Sequence, residues 1–267
     1  MRKTWHLKAV LFLTVAVIIL PMIIIGIWAV TGRWPWPKLL PETYTTRTIK
    51  ELLFGSSSLI GVLISSIILA LIVAIIGTIV AMMTARATEI YRIKGSELIK
   101  YGAMLPLIVP ATVFAMGFQV VLIKMGLNDT VTGVVIMHVI AALPYCVTIM
   151  TDITAVKGES LEEQAAVLGA GPWTRVKDVI IPELMPGILS SMSMAFIVSY
   201  SQYFTTLIAG GGKIKTLALV MVPYIQSGDR ALASVYAVTF VGSALIVFFI
   251  LEAMLHNVLK GEEHNEA

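Results

Sequence analysis

Apolar residues fall into long blocks separated by short polar segments. Stretches free of Asp, Glu, Lys and Arg cover residues 9–32, 52–85, 101–123, 130–151, 184–212 and 231–251. Each reaches the roughly 20 residues that a helix needs to cross about 30 Å of hydrocarbon. Backbone in lipid must satisfy its own hydrogen bonds, so the runs read as helices. A β-barrel would show alternating segments of ~10 residues, not an unbroken run such as residues 59–83. Trimming polar flanks gives six spans near 8–31, 59–85, 100–124, 130–151, 186–209 and 230–256. The expected fold is an all-α integral membrane protein, with residues 1–267 as a single transmembrane domain.

Composition agrees with the pattern. The chain of 267 residues is 58% hydrophobic and 13% charged, against about 45–50% and about 25% in soluble domains. Nineteen basic and 16 acidic residues leave a net charge of +3, too little for a nucleic-acid surface. A single cysteine, Cys146, excludes an intramolecular disulfide and any cysteine metal cluster. The first run follows Arg2, Lys3 and Lys8, as a signal peptide would. It is longer than the 7–15 residues of a signal-peptide core and lacks an A-x-A end, so it reads as a retained span. With both termini in the cytoplasm, the inner segments carry 11 Lys and Arg and the outer loops 8. That bias, led by Arg86, Arg92 and Lys94 after the second span, favours this orientation. Trp34 and Trp36 then lie at the outer headgroup level as anchors.

Between spans five and six, Gly210–Gly212 free the backbone to turn. Residues 216–228 follow as a short charge-free run, of re-entrant or interfacial length. Gly212-Lys213 is no phosphate loop, since Ile214 stands where Ser or Thr is required and Leu207 where the first Gly would be. There is no H-E-x-x-H, and His6, His138, His256 and His264 are scattered, so no metal site is expected. Gly55-Ser56-Ser57-Ser58 lacks the spacing of a serine nucleophile and reads as a polar linker. No carboxylate lies mid-span, which disfavours an intramembrane aspartyl protease or proton relay. His138 is the imidazole at depth, and interhelical hydrogen bonding is its favoured role.

The segment between the fourth and fifth spans, residues 152–185, is too polar to cross and carries ordered helix signals. Ser160 and Glu163 form a capping-box pattern. Residues 161–168 are mostly strong helix formers, and Gly169 and Gly171 can stop the helix in the left-handed region. Pro172 suits the first position of a second helix, on which Trp173, Val176 and Ile180 share a face by spacing. Pro182 and Pro186 are expected to end the unit and redirect the chain. The product is a helix-turn-helix against the inner membrane face.

This segment resembles the EAA loop of permease subunits of binding-protein-dependent ABC importers. The family pattern is E-A-A, three residues, Gly, nine residues, Ile, one residue, Leu-Pro. The chain has Glu163, Gln164, Ala165, Gly169, Val179, Ile181 and Pro182 at that spacing, departing at Gln164, Val179 and Ile181. With the six-span layout and residues 186–188, the resemblance covers most of the chain. It implies a coupling loop docking on a separate cytosolic ABC ATPase dimer that holds the ATP. It also implies a second permease subunit, same or related, and an extracytoplasmic solute-binding protein in a cell (inner) membrane. Catalysis and cofactor binding are not expected of this chain. Small residues on the loop (Ala165, Ala166, Gly169, Ala170) allow close approach to a partner. Glu163 has two readings, helix capping alone or capping together with an ion pair to the ATPase.

Span five is the most polar, and Ser199, Gln202 and Thr206 recur at helical spacing on it. By the same resemblance this span lines the solute path, with Tyr203 beside it. Bonding to neighbouring helices is the competing role for any one of these groups. Pro106 and Pro110 in span three and Pro144 in span four are expected kinks. Residues 199–229 look like the branch that includes polyamine, thiamine, ferric-iron and phosphonate importers. Polyamine ranks lower, because Ser201 and Gln202 stand where acidic residues would be expected. The other classes of reading are a self-contained secondary transporter or channel, which would need repeats and ionisable groups at depth, and a membrane enzyme near His138 and Tyr145.

Overall fold

The computed structural model describes residues 3–46, 48–50 and 59–265. Arg2 and the Gly55–Ser58 linker lie outside the described residues. Contacts group the chain into two units, Met1–Leu63 with Val220–Ser243, and Ile64–Leu219 with Ala244–Ala267. Among the described residues five helices are long and apolar enough to cross a bilayer, or six with one sharply bent pair counted as a single span. The all-α membrane architecture therefore stands.

In the first unit, α1 (Lys3–Ala29) is apolar on every side and exposes Phe12, Val17 and Ile18, as a helix facing lipid does. It runs into a short antiparallel ribbon, β1 (Thr31–Arg33) with β2 (Thr43–Tyr44). Nothing in the hydrophobic pattern announced this pair. Trp34 donates its indole N–H to the Lys38 carbonyl at 2.7 Å and stacks on Trp28 at 4.7 Å. Glu42 pairs with Lys38 and with Arg33.

The second unit holds the core. Helix α2 (Leu59–Ala85) buries Ser66, Ala70, Ala74, Thr78, Ala81 and Ala85 in one stripe of small residues. Such stripes let helices approach closely in a bilayer, where association rests on packing and hydrogen bonds. Thr78 bonds Ser191 at 3.0 Å across this contact. A wider π-type turn, Arg86–Ile90, ends the helix.

The third span is not one helix. Helices α3 (Ser96–Ile108) and α4 (Ala111–Lys124) meet at 112°, where a single span over 100–124 with kinks was expected. The residue before a proline is pushed out of the helical region, and Val109 duly sits at φ −83°, ψ 134°. Pro110 then serves as the N-cap of α4, so the chain stops and restarts instead of bending. Helix α5 (Val131–Lys157) is continuous through Pro144 and runs six residues past the expected end at 151. Thr130 caps its start, accepting from the Gly133 N–H at 3.1 Å. Met137, Val134 and Leu122 form the core there with Ala115 and Ala209.

After α5 come α6 (Ser160–Val167), α7 (Pro172–Arg175), a second π-type turn (Val176–Ile180) and α8 (Ile181–Tyr200). From Pro172 to Tyr200 the helix is unbroken over 29 residues. The expected redirection at Pro182 and Pro186 is therefore corrected, as is the start of the span at 186. A proline inside a regular α-helix clashes with the carbonyl four residues back. The wider turn directly before Pro182, in which Ile181 N–H bonds the Val176 carbonyl, relieves that clash. Further along, Gly187 meets Ile153 of α5 so closely that a Cβ would lie 2.4 Å from its Cγ2. The span also ends early, at Tyr200 instead of 209. Residues 201–203 interrupt it before α9 (Phe204–Gly210). Helices α10 (Leu217–Ser227) and α11 (Arg230–Asn265) complete the chain.

Candidate functional site

Two regions bring together the residues singled out in the sequence. The first is the elbow formed by α6 and α7. Helix α6 begins at Ser160, with Glu159 as N-cap and no side-chain capping bond. The expected Ser160–Glu163 capping box is absent, because Ser160 already lies inside the helix. The stop is as expected at Gly169, whose φ is +88°. Its N–H bonds the Ala166 carbonyl at 3.0 Å and the Ala170 N–H bonds Ala165 at 2.9 Å. These two bonds make a Schellman closure of the helix end. Gly171 is extended, φ −66° and ψ 162°, and leads into Pro172 at the first helical position. Its expected left-handed role is corrected.

Glu162 carries the geometry that sequence reasoning missed. Its carboxylate lies 2.6 Å from the Arg86 guanidinium and 3.6 Å from that of Arg175, and the side chains of Glu162 and Arg86 are only 16% and 14% exposed. Charge-assisted bonds of this kind are the strong ones. The pair ties α6 to the end of α2, 76 residues away, while the Arg175 Nε finds no partner. Two adjacent glutamates on one helical turn were the signal, since only one of them can face a given side. With Glu162 turned inward, Glu163 is exposed.

Around Glu163 the elbow shows an apolar tip. Gln164 is exposed beside it, Ala165 is half-buried, and Val167, Leu168 and Trp173 are 89%, 87% and 75% exposed. Trp173 thus does not share the buried face of Ile180. The π-type turn between them shifts the register that a regular helix would keep. Val179 and Ile181 are half-buried and Pro182 is exposed. The elbow is thus short, with an apolar tip, exposed polar groups beside it and an ionic root.

The second region lies at the interruption of the fifth span. His138 of α5 is fully buried, with Nδ1 2.9 Å from Ser199 Oγ and Nε2 2.9 Å from Thr206 Oγ1. The Thr206 hydroxyl donates to the Gln202 carbonyl at 2.8 Å, so it accepts from Nε2–H. Nδ1 is then an acceptor, and Ser199 donates to it. The imidazole bridges the helices on both sides of residues 201–203 and has no nitrogen left for a reaction. Ser199 and Thr206 converge on His138 across the break instead of recurring along one helix. Gln202 takes the Thr205 hydroxyl on its side-chain oxygen at 2.8 Å and is half-buried, as is Tyr203. The neighbouring α4 adds Gln119, which donates to the Ile208 carbonyl at 3.1 Å.

Beyond α9 the chain turns at Gly211 and Gly212, both at positive φ. Lys213 pairs with Asp129 at 2.9 Å, and the Asp129 N–H bonds the Ala209 carbonyl at 2.8 Å.

Residues 91–260 match the family described as binding-protein-dependent transport system inner membrane component. A protein of Salmonella typhi named as a 2-aminoethylphosphonate transport system permease is 22% identical over 235 residues, 87% of this chain and 88% of that one. A spermidine/putrescine transport system permease of Haemophilus influenzae is 25% identical over 179 residues, 67% and 69% of the two chains. A shorter stretch of 88 residues is 33% identical to a Streptomyces antibioticus protein named as an ABC transporter permease. It covers 33% of this chain and 38% of that protein.

Proposed function

The chain belongs to the binding-protein-dependent transport system inner membrane components, the type I ABC importer permeases, and from that premise we propose that its α6–α7 elbow is the coupling loop. It docks on a separate cytosolic ABC ATPase dimer, which holds and hydrolyses the ATP. Glu163, Gln164, Ala165 and Gly169 form the docking face, and Val179, Ile181 and Pro182 join it to α8. The observation that carries this reading is the exposed tip of Val167, Leu168 and Trp173 on a root fixed by Arg86 and Glu162. Exposed apolar side chains on so small an element call for a partner. The root lets a push on the tip reach α2 and α8 instead of being lost in a loose loop.

The whole chain then acts as one permease domain in the cytoplasmic (inner) membrane, with both termini and the elbow on the cytosolic side. It pairs with a second permease subunit and receives solute from an extracytoplasmic binding protein. The solute path runs past the interruption at residues 201–203. Breaks in transmembrane helices free backbone groups where they line a pathway. Gln202 and Tyr203 are the contacts there, while Ser199 and Thr206 hold the break in place through His138. Neutral hydrogen-bonding groups suit a polar solute better than a bare polycation.

Co-purification tests the coupling role. Leu168→Asp should remove the ATPase from the purified complex while leaving the permease folded in the membrane. Glu163→Arg should abolish ATP-dependent uptake. Full uptake and full ATPase recovery in both variants would overturn the assignment.

A further inference from the structure

Two apolar spans meet the membrane surface side by side. Trp28 lies in the last turn of α1, whose apolar stretch ends at Ala29, and Arg230 opens α11, so both stand at headgroup depth. Between them lies a groove of about 250 Å³. Its walls are Ile25 and Trp28 of α1, Tyr224 and Ile225 of α10, and Ala233 and Ala237 of α11. The two alanines, one turn apart, are small enough to leave the space open. From Arg230 to Ala237 the α11 wall descends about 10 Å, against about 15 Å of hydrocarbon in one leaflet. Ile225 on the wall and Ile24 beside it are exposed, so the groove opens on the lipid-facing surface.

Polar groups stand at the upper end of this groove. The Arg230 guanidinium lies over the Trp28 ring, 5.2 Å from its centroid, and Trp28 is itself stacked on Trp34 at 4.7 Å. An aromatic pair thus holds the cation at the rim. Among the described residues it has no carboxylate partner. The neighbouring Asp229 accepts the Leu232 N–H at 3.1 Å and so caps α11. An arginine in the first turn also faces the positive end of the helix dipole, where an anion is favoured. About 6 Å deeper, one turn along α11, Ser234 lines the groove, 7% exposed and with no hydrogen bond among the described residues. Cation, hydroxyl and apolar trough follow one another in the order phosphate, ester, acyl chain. We infer that the groove holds one anionic glycerophospholipid of that leaflet. Its phosphate rests on Arg230, an ester oxygen accepts from Ser234, and one acyl chain runs along Ala233 and Ala237. So bound, the lipid fastens the first span to the last.

Photolabelling of the assembled transporter in nanodiscs tests the site. The discs are of phosphatidylcholine and carry a trace of phosphatidylglycerol with a diazirine on one acyl chain. Adducts should concentrate on residues 25–28 and 233–237, severalfold above those on the exposed stretch of α1 at 10–20, which reports ordinary lipid contact. Arg230→Gln should lower labelling of the groove about tenfold, the effect of one charge-assisted hydrogen bond, while labelling at 10–20 stays at the parental level. Ala237→Phe fills the trough and should have the same selective effect. A phosphatidylcholine probe with the same diazirine should label the groove less. Absent groove labelling or even labelling along α1 would overturn the proposal. So would equal labelling of the groove by the two probes, or groove labelling undiminished in either variant.

Discussion

Replacing Glu162 by alanine removes one carboxylate and strands two cations. Arg86 loses its 2.6 Å partner and Arg175 its 3.6 Å one, and Arg175 already has an unpartnered Nε. Fully buried pairs cost 3–5 kcal/mol to break from one side, whereas exposed pairs are worth 0–1 kcal/mol. The Glu162 and Arg86 side chains are 16% and 14% exposed, so the loss should fall between these limits, about 2 kcal/mol. It bears on the elbow alone, because the core around Met137 and Leu122 does not include this pair. A loss of about 2 kcal/mol is roughly a 30-fold rise in the open population. Exchange of the α6 amides, measured by mass spectrometry on the purified transporter, should therefore accelerate about 30-fold, with residues 131–150 unchanged. Uptake should fall further than ATP hydrolysis, since a loosened root transmits less of the push. Arg86→Gln combined with Glu162→Gln should cost less than the sum of the two single changes, because only Arg175 is then left without its carboxylate. Unchanged α6 exchange in Glu162→Ala, or strictly additive losses in the double variant, would refute the reasoning.

Other substitutions probe separate contacts. Gly187→Leu should lower the melting temperature in detergent, since overpacking costs about 1–3 kcal/mol and even a Cβ would stand 2.4 Å from Ile153. His138→Leu severs both hydrogen bonds across the break and should cost about 1–2 kcal/mol in unfolding titrations, near the upper range for interhelical bonds; His138→Gln should recover part. Gly169→Ala forces a Cβ residue to φ +88°, a cost of about 1 kcal/mol, and should reduce uptake, with Gly169→Asn less harmful. A Gly169→Ala variant with full transport would show that the elbow does not need its left-handed stop.

The spans and the elbow were readable because each rests on local signals. Uninterrupted apolar runs mark the one, and the spacing of Gly169, Pro172 and Pro182 marks the other. What escaped depends on contacts far along the chain or on one residue's choice between bending and stopping. Pro110 was expected to kink a helix, and the extended conformation of Val109 made it a break. Pro182 was expected to end one, and the wider turn ahead of it let the helix continue. Ser199 and Thr206 were singled out by their helical spacing on one polar span, and both prove to be buried. Their shared partner, His138, sits 61 and 68 residues away, beyond any periodicity. The same distance hid Glu162, whose partner Arg86 lies on another element, and the small-residue stripe of α2 reads in sequence as featureless apolar filler.

Cross-linking from the elbow tip tests the central claim most directly. Cys146 is the sole cysteine of the chain and is buried, so Leu168→Cys introduces the one accessible thiol. The account predicts that this thiol cross-links to the ATPase subunit in membranes and resists an impermeant thiol reagent added outside intact cells. Labelling from outside, or no cross-link to a nucleotide-hydrolysing subunit, would contradict it.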